Sequence, residues 1–238
     1  MTAKTFSELA LKPQLLARLE SMQFTTMTSV QALSLPALMA GKDVVVQAST
    51  GSGKTAAFAL ACLQRLDSAA FHVQSLVLCP TRELAEQVAQ SVRELAKNLP
   101  NTKVLALCGG VPLGPQIGSL QHSAHFIVGT PGRVLKHLQK GTLHLHGLDV
   151  VVFDEADRML DMGFADEIEA IFRYLPQPRQ TLLFSATFPD GVQDLAQDLR
   201  ADAVYVDVTA DEMAPRITQQ WCGIDAREPV SYTHLTLP

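Results

Sequence analysis

Seven short runs along the chain are apolar at nearly every position: Val44–Gln47, Ser75–Cys79, Val104–Leu107, Phe126–Val128, Val150–Phe153, Thr181–Phe184 and Val204–Val208. A strand without alternating polarity has no face to offer water. It must be covered on both sides, as strands of a parallel sheet are when helices pack above and below. The stretches between the runs supply such helices. Lys54–Leu66, Arg82–Asn98, Arg133–Leu138, Phe164–Tyr174 and Val192–Leu199 carry a helical period, and upstream Pro13–Met22 and Val30–Met39 read as two more. Strand and helix in alternation predict an α/β fold: a mainly parallel sheet, joined by right-handed crossovers, with helices on both faces.

In such a sheet, ligands gather where strands end. Two polar motifs sit at strand ends. Ala48-Ser49-Thr50-Gly51-Ser52-Gly53-Lys54-Thr55 follows the first apolar run and opens a helix. It meets the phosphate-loop pattern G-x-x-x-x-G-K-[ST] everywhere except its first position, which is Ala48. Backbone N–H groups of Ser49, Thr50, Gly51, Ser52 and Gly53 can point at phosphate oxygens, and glycine permits the dihedrals this needs. Lys54 offers a point charge and Thr55 a hydroxyl for Mg²⁺. The second motif, Asp154-Glu155-Ala156-Asp157, follows Val150–Phe153. Adjacent carboxylates at a strand end can divide labour, Asp154 holding the metal ion and Glu155 orienting or deprotonating a water. Alone, that motif reads equally well as an acidic helix cap. Together the motifs point to a nucleotide-driven enzyme, with Lys54, Asp154 and Glu155 as its catalytic group.

Further segments, in order, are Gln23-Phe24-Thr25-Thr26-Met27-Thr28-Ser29-Val30-Gln31, Pro80-Thr81-Arg82-Glu83-Leu84-Ala85, Gly109-Gly110, Thr130-Pro131-Gly132-Arg133 and Ser185-Ala186-Thr187. With the two motifs above, this set resembles a DEAD-box ATP-dependent RNA helicase over about 6–208, and the wording between motifs is closest to DbpA-type bacterial members. The resemblance implies a RecA-like P-loop NTPase domain that uses ATP and Mg²⁺ and binds RNA. It implies an adenine site at Phe6, Phe24 and Gln31, the Gln31 amide forking onto the base. Phe6 has an alternative as a plain core anchor. Pro80, Thr81, Arg82, Gly110, Thr130, Pro131, Gly132 and Arg133 resemble the RNA-contacting set, which would touch backbone rather than bases; simple helix capping is the alternative. Asp157, Ser185 and Thr187 resemble the group coupling nucleotide to RNA, or else a hydrogen-bonded strand end. Gln23 departs from the family, which usually has glycine there. The resemblance also implies that RNA is handled between two such domains, with ribosomal RNA in ribosome assembly as a candidate target. A DNA helicase or translocase of the same superfamily, or a binding module without turnover, stays open at this point.

The expected organisation is a first RecA-like domain over 1–208, a linker over 209–216, and the truncated start of a second domain over 217–238, of which 231–238 reads as a non-native tail. Ile217–Ile224 suits a strand within that fragment. Hydrophobic residues make up 47% of the 238 and charged ones 18%, enough for a full core. The net charge is −5, so nucleic acid would have to be held by local groups rather than by a basic field. No apolar stretch reaches the roughly 18 residues a membrane span needs. The first residues lack a secretory pattern, and Cys62, Cys79, Cys108 and Cys222 form no C-x-x-C pair; a cytoplasmic protein with reduced thiols and no membrane partner is expected. His144 and His146 alternate as on a surface strand, and Met159 and Met162 read as packing residues of a helix.

Overall fold

A computed structural model describes residues 4–197 and 202–208. Seven strands, β1 (Val44–Gln47), β2 (Ser75–Leu78), β3 (Val104–Leu107), β4 (Phe126–Gly129), β5 (Val150–Asp154), β6 (Gln180–Ser185) and β7 (Val204–Asp207), form one sheet in the order β3-β4-β2-β5-β6-β1-β7. Every pairing is parallel. The apolar strands do what their composition demands. Val44 and Val46, Val77, Val150 and Val152, and Leu182 and Phe184 enter one core. Val45, Leu76 and Leu78, Val151 and Phe153, and Leu183 enter another. Period-two alternation thus feeds two hydrophobic layers from one sheet.

Helices α1 (Pro13–Ser21), α2 (Ser29–Met39), α3 (Lys54–Arg65) and α4 (Arg82–Leu95) close the first layer. Helices α6 (Pro131–Gln139), α7 (Ala156–Asp161), α8 (Ala165–Phe172) and α9 (Asp190–Gln197) close the second. Among the described residues no helix is long and apolar enough to cross a membrane.

Some expectations need correcting. Helix α5 (Leu113–Leu120) was not legible, because Gly114, Pro115 and Gly118 depress helix propensity and the segment buries none of its residues fully. The helix expected over Arg82–Asn98 ends at Leu95 and tightens into a 3-10 turn at Ala96–Asn98. His144 and His146 are exposed but lie on a loop, not a strand. Met159 is buried as expected, whereas Met162 is 49% exposed. Gln23, standing where the resembled family has glycine, adopts φ 60°, so the turn keeps its left-handed backbone despite the Cβ. The linker, the second-domain fragment with Ile217–Ile224, Cys222 and the tail lie outside the described residues.

Candidate nucleotide and nucleic-acid site

The C-terminal ends of β1, β6 and β5 lie side by side, and register keeps them level: Gln47 pairs with Ser185, and Asp154 with Phe184. The Ala48 N–H donates to the Ser185 carbonyl at 3.0 Å, extending the ladder into the first motif. The phosphate loop and the acidic motif therefore share one rim, with the end of β6 between them.

Gly53 N-caps α3 at φ 99° without a side-chain cap. The N–H groups of the first turn thus lack intrahelical partners and carry the positive end of the helix dipole. A Cβ on Gly53 would come within 2.6 Å of Gln31 Nε2 and 3.0 Å of Thr28 Oγ1, so glycine is required there by space as well as by dihedral. Gly51 has φ 83° but open space around it. Ser49, Thr50 and Gly51 are exposed, and Ser52 Oγ donates to the Ser49 carbonyl at 2.9 Å. Lys54 is buried, its ammonium donating to the Ala48 carbonyl at 2.9 Å.

Gln31 is buried against this loop. Its Oε1 accepts from the Thr28 N–H at 2.9 Å, and its Nε2 donates to the Gly53 carbonyl at 3.1 Å. Thr28 Oγ1 accepts from the Gln31 N–H in return, a capping box at the start of α2. The fork expected to meet adenine is engaged within the chain, tying α2 to the phosphate loop. Phe6 is 3% exposed and belongs to the first core, so it is placed as an anchor; Phe24 is 41% exposed. Phe24 lines a cavity of about 320 Å³ together with Gly53, Thr55 and Ala56.

Asp154 is buried, and burial pushes its carboxyl up to about 6, against the pull of Lys54. Glu155 adds to the rise. Glu155 itself stands at φ 54°, ψ 55°, left-handed backbone that strains a residue with a Cβ. It makes no side-chain cap, and its Oε2 lies 3.1 Å from Arg158 Nη1. The helix-cap alternative therefore has no hydrogen bond behind it. The donors gathered here, a hydroxyl at Thr55 and a carboxylate at Asp154, are the hard oxygens that suit Mg²⁺. Among the described residues no cluster of three metal-ligating side chains exists, and Mg²⁺, which keeps several waters, needs none.

Asp157, Ser185 and Thr187 are brought together. Asp157 Oδ2 accepts from the Thr187 N–H at 2.9 Å and from Thr187 Oγ1 at 2.7 Å, while the Asp157 N–H donates to Ser185 Oγ at 3.2 Å. Burial acts to raise the Asp157 pKa, but these hydrogen bonds outweigh it and hold the carboxyl below its usual range.

The segments at β2, β3 and β4 also meet at the rim. Pro80 is buried, and Thr81 caps α4, its Oγ1 accepting from the Leu84 N–H at 3.2 Å. Arg82 follows, exposed, its guanidinium 3.2 Å from where a Gly110 Cβ would stand. Thr130 caps α6 without a side-chain bond, Pro131 occupies the first turn, and Gly132 is exposed. Arg133 Nη2 donates to the Val111 carbonyl at 2.9 Å, and its Nη1 donates to Gln116 Oε1 at 3.0 Å. Burial and Glu86 raise Cys108 to about 11, and Arg82 and Arg133 oppose that rise, which puts both guanidinium charges around one strand end.

Sequence reasoning missed Thr28 as the reciprocal partner of Gln31, and it missed Gln116 and His137 altogether. Thr28 had a legible signal, the T-x-x-Q capping spacing. Gln116 had none, since its helix was itself unexpected.

The profile of the DEAD/DEAH box helicase family matches residues 28–195. The chain belongs to that family. Among curated DEAD-box relatives, it is 55% identical over 222 residues to the ATP-dependent RNA helicase DbpA of Escherichia coli, a match spanning 93% of this chain and 48% of that protein. It is 42% identical over 225 residues to the DEAD-box ATP-dependent RNA helicase CshA of Bacillus cereus, spanning 94% of this chain and 43% of that one. The chain thus spans about half the length of the curated relatives it matches. A crystal structure of a DEAD box protein from Methanococcus jannaschii superimposes with TM-score 0.82 at 36% identity, covering 87% of this chain and 57% of that one. The seven-stranded parallel sheet is therefore the RecA-like domain of a DEAD-box protein.

Proposed function

We propose that this chain is the ATP- and Mg²⁺-binding half of an ATP-dependent RNA helicase, acting on ribosomal RNA in a cytoplasmic setting. Residues 1–208 form the first RecA-like domain and 209–216 a linker, and 217–238 belong to the second. The observation that carries the reading is the shared rim: the phosphate loop after β1 and Asp154 at the end of β5 flank the end of β6.

The first-turn N–H groups of α3 and Lys54 bind the β- and γ-phosphates, Lys54 leaving the Ala48 carbonyl to do so. Thr55 and Asp154 hold Mg²⁺, which supplies charge neutralisation at the phosphate oxygens. Glu155, turned by its left-handed backbone, orients the attacking water and accepts its proton. Phe24 lines the cavity assigned to the base, and Gln31, bonded to Gly53 of that lining, binds adenine by exchanging its contacts with Gly53 and Thr28. Thr81, Arg82, Gly110, Thr130 and Arg133 hold sugar-phosphate backbone with N–H groups, hydroxyls and guanidinium charges, without reading bases. Asp157, Ser185 and Thr187 link the two regions.

Hydrolysis in phosphoryl-transfer enzymes gains roughly 10³–10⁵ in rate from an arginine that reaches in from outside the phosphate cradle. This chain should bind ATP and turn it over very weakly, whereas the protein with both domains should hydrolyse ATP when RNA is added, and Glu155→Gln there should abolish turnover while sparing nucleotide binding. Fluorescent-nucleotide titration and phosphate release measure the two. Brisk RNA-stimulated hydrolysis by this chain, or full activity of the Glu155→Gln protein, would overturn the assignment; equal stimulation by DNA would favour a DNA translocase.

A further inference from the structure

Arg133 is half-buried and held. Its Nη1 meets Gln116 Oε1 at 3.0 Å and its Nη2 meets the Val111 carbonyl at 2.9 Å. Arginine only donates, so the Gln116 atom facing it must be oxygen. The same oxygen lies 3.0 Å from His137 Nε2, so that nitrogen must carry a hydrogen. His137 is fully buried, and burial, with Arg133 beside it, keeps its pKa below the ordinary value. In the neutral ring Nδ1 is then an acceptor, and Thr142 Oγ1, 2.8 Å away, donates to it. Gln116 Nε2 closes onto the Cys108 carbonyl at 3.1 Å. Two N–H groups, one of His137 and one of Arg133, therefore converge on Gln116 Oε1, which joins α5, α6 and the end of β3.

We propose that Gln116 and His137 are positioning residues for nucleic-acid binding: the Nε2–H tautomer of His137 locks the Gln116 amide, and that amide with the Val111 carbonyl sets the plane of the Arg133 guanidinium. Three of its five N–H donors stay available for a phosphate. The guanidinium arrives oriented, so less rotamer freedom is lost when RNA binds. The inference rests on the reading of Arg133 as an RNA contact.

The test uses the whole chain and a single-stranded RNA oligonucleotide, followed by fluorescence anisotropy across a salt series, with nucleotide affinity as the control for folding. Arg133→Ala should weaken binding and lower the slope against log salt by about 0.7, one phosphate contact. Gln116→Leu should weaken RNA binding roughly two- to tenfold, the worth of one hydrogen bond, at unchanged nucleotide affinity. His137→Leu should behave likewise, and His137→Gln, which keeps a donor near the Nε2 position, should recover most of the loss. If Arg133→Ala binds RNA as tightly as the parent, the RNA-contact reading falls. If Arg133→Ala is weakened while the Gln116 and His137 variants bind normally, the contact stands and the positioning role is overturned. Nitrogen NMR of the unmutated chain is independent of any variant's folding: it should report His137 as the Nε2–H tautomer, and an Nδ1–H or doubly protonated ring at neutral pH would overturn the proposal.

Discussion

Asp154 shows how a site residue weighs on the fold that holds it. Its carboxyl titrates near 3.8 when free in solution and is pushed up to about 6 by burial. The folded state therefore binds the proton more tightly than the unfolded one, and stability falls as pH rises from about 4 to about 6. That difference is worth at most about 3 kcal/mol. Asp154→Asn should stabilise the chain by about 1–3 kcal/mol at pH 8 and by little near pH 4, at the loss of turnover in the two-domain protein. Denaturant melts at the two pH values check it, and a pH-independent difference would contradict the titration account. Gly53 makes a second prediction. With φ 99° and Gln31 Nε2 2.6 Å from its missing Cβ, Gly53→Ala combines backbone strain with a clash. It should cost about 2–3 kcal/mol and weaken nucleotide binding, while Gly51→Ala, with open space, should cost about 1 kcal/mol. Equal losses at the two positions would show that Gln31 does not press on the loop.

At the scale of single elements, α4 and α6 begin differently although the sequences that open them look alike. Thr81 caps α4 through its side chain, and Thr130 caps α6 without a side-chain bond. The difference lies at the third helical N–H: that of Leu84 goes to Thr81 Oγ1 at 3.2 Å, whereas that of Arg133 goes to the Thr130 carbonyl at 3.1 Å. Thr81→Ala should then cost about 1 kcal/mol in a urea melt and Thr130→Ala less than about 0.5 kcal/mol. If the losses match, the cap geometry is not what separates them. Both threonines were legible as helix openers. The bond itself was not, because it depends on a side-chain rotamer that packing selects. Helix α5 stands further from legibility, since Gln116 anchors it from a stretch whose glycines favour no helix.

For the whole molecule, strand order governs mechanics. The inner strands β2, β5 and β6 are buried at every position, whereas β3 is partly exposed and the edge strand β7 mostly so. Amide exchange should be slowest in β2, β5 and β6 and fastest in β7, with β3 between, because edge ladders open locally at lower free energy. A β7 as protected as β6 would mean that something further covers that edge. The site spans this gradient. Its glycine-lysine loop leaves β1, next to β7, while Asp154 sits deep in the sheet on β5.

By itself the sequence determined whatever depends on near neighbours. Runs with no polar face could only be covered strands, and the glycine-lysine turn and the acidic residues fall where those strands end. Tertiary structure alone decided which distant groups share a bond. Gln31 meets Gly53 across 22 residues, Arg133 meets Gln116 across 17, and Asp157 meets Thr187 across 30. It decided also that Phe6 turns into the core and that burial pushes the Asp154 carboxyl up. Periodicity encodes which face of an element is buried, but a hydrogen bond or a desolvated charge depends on what the fold carries to the other side of it.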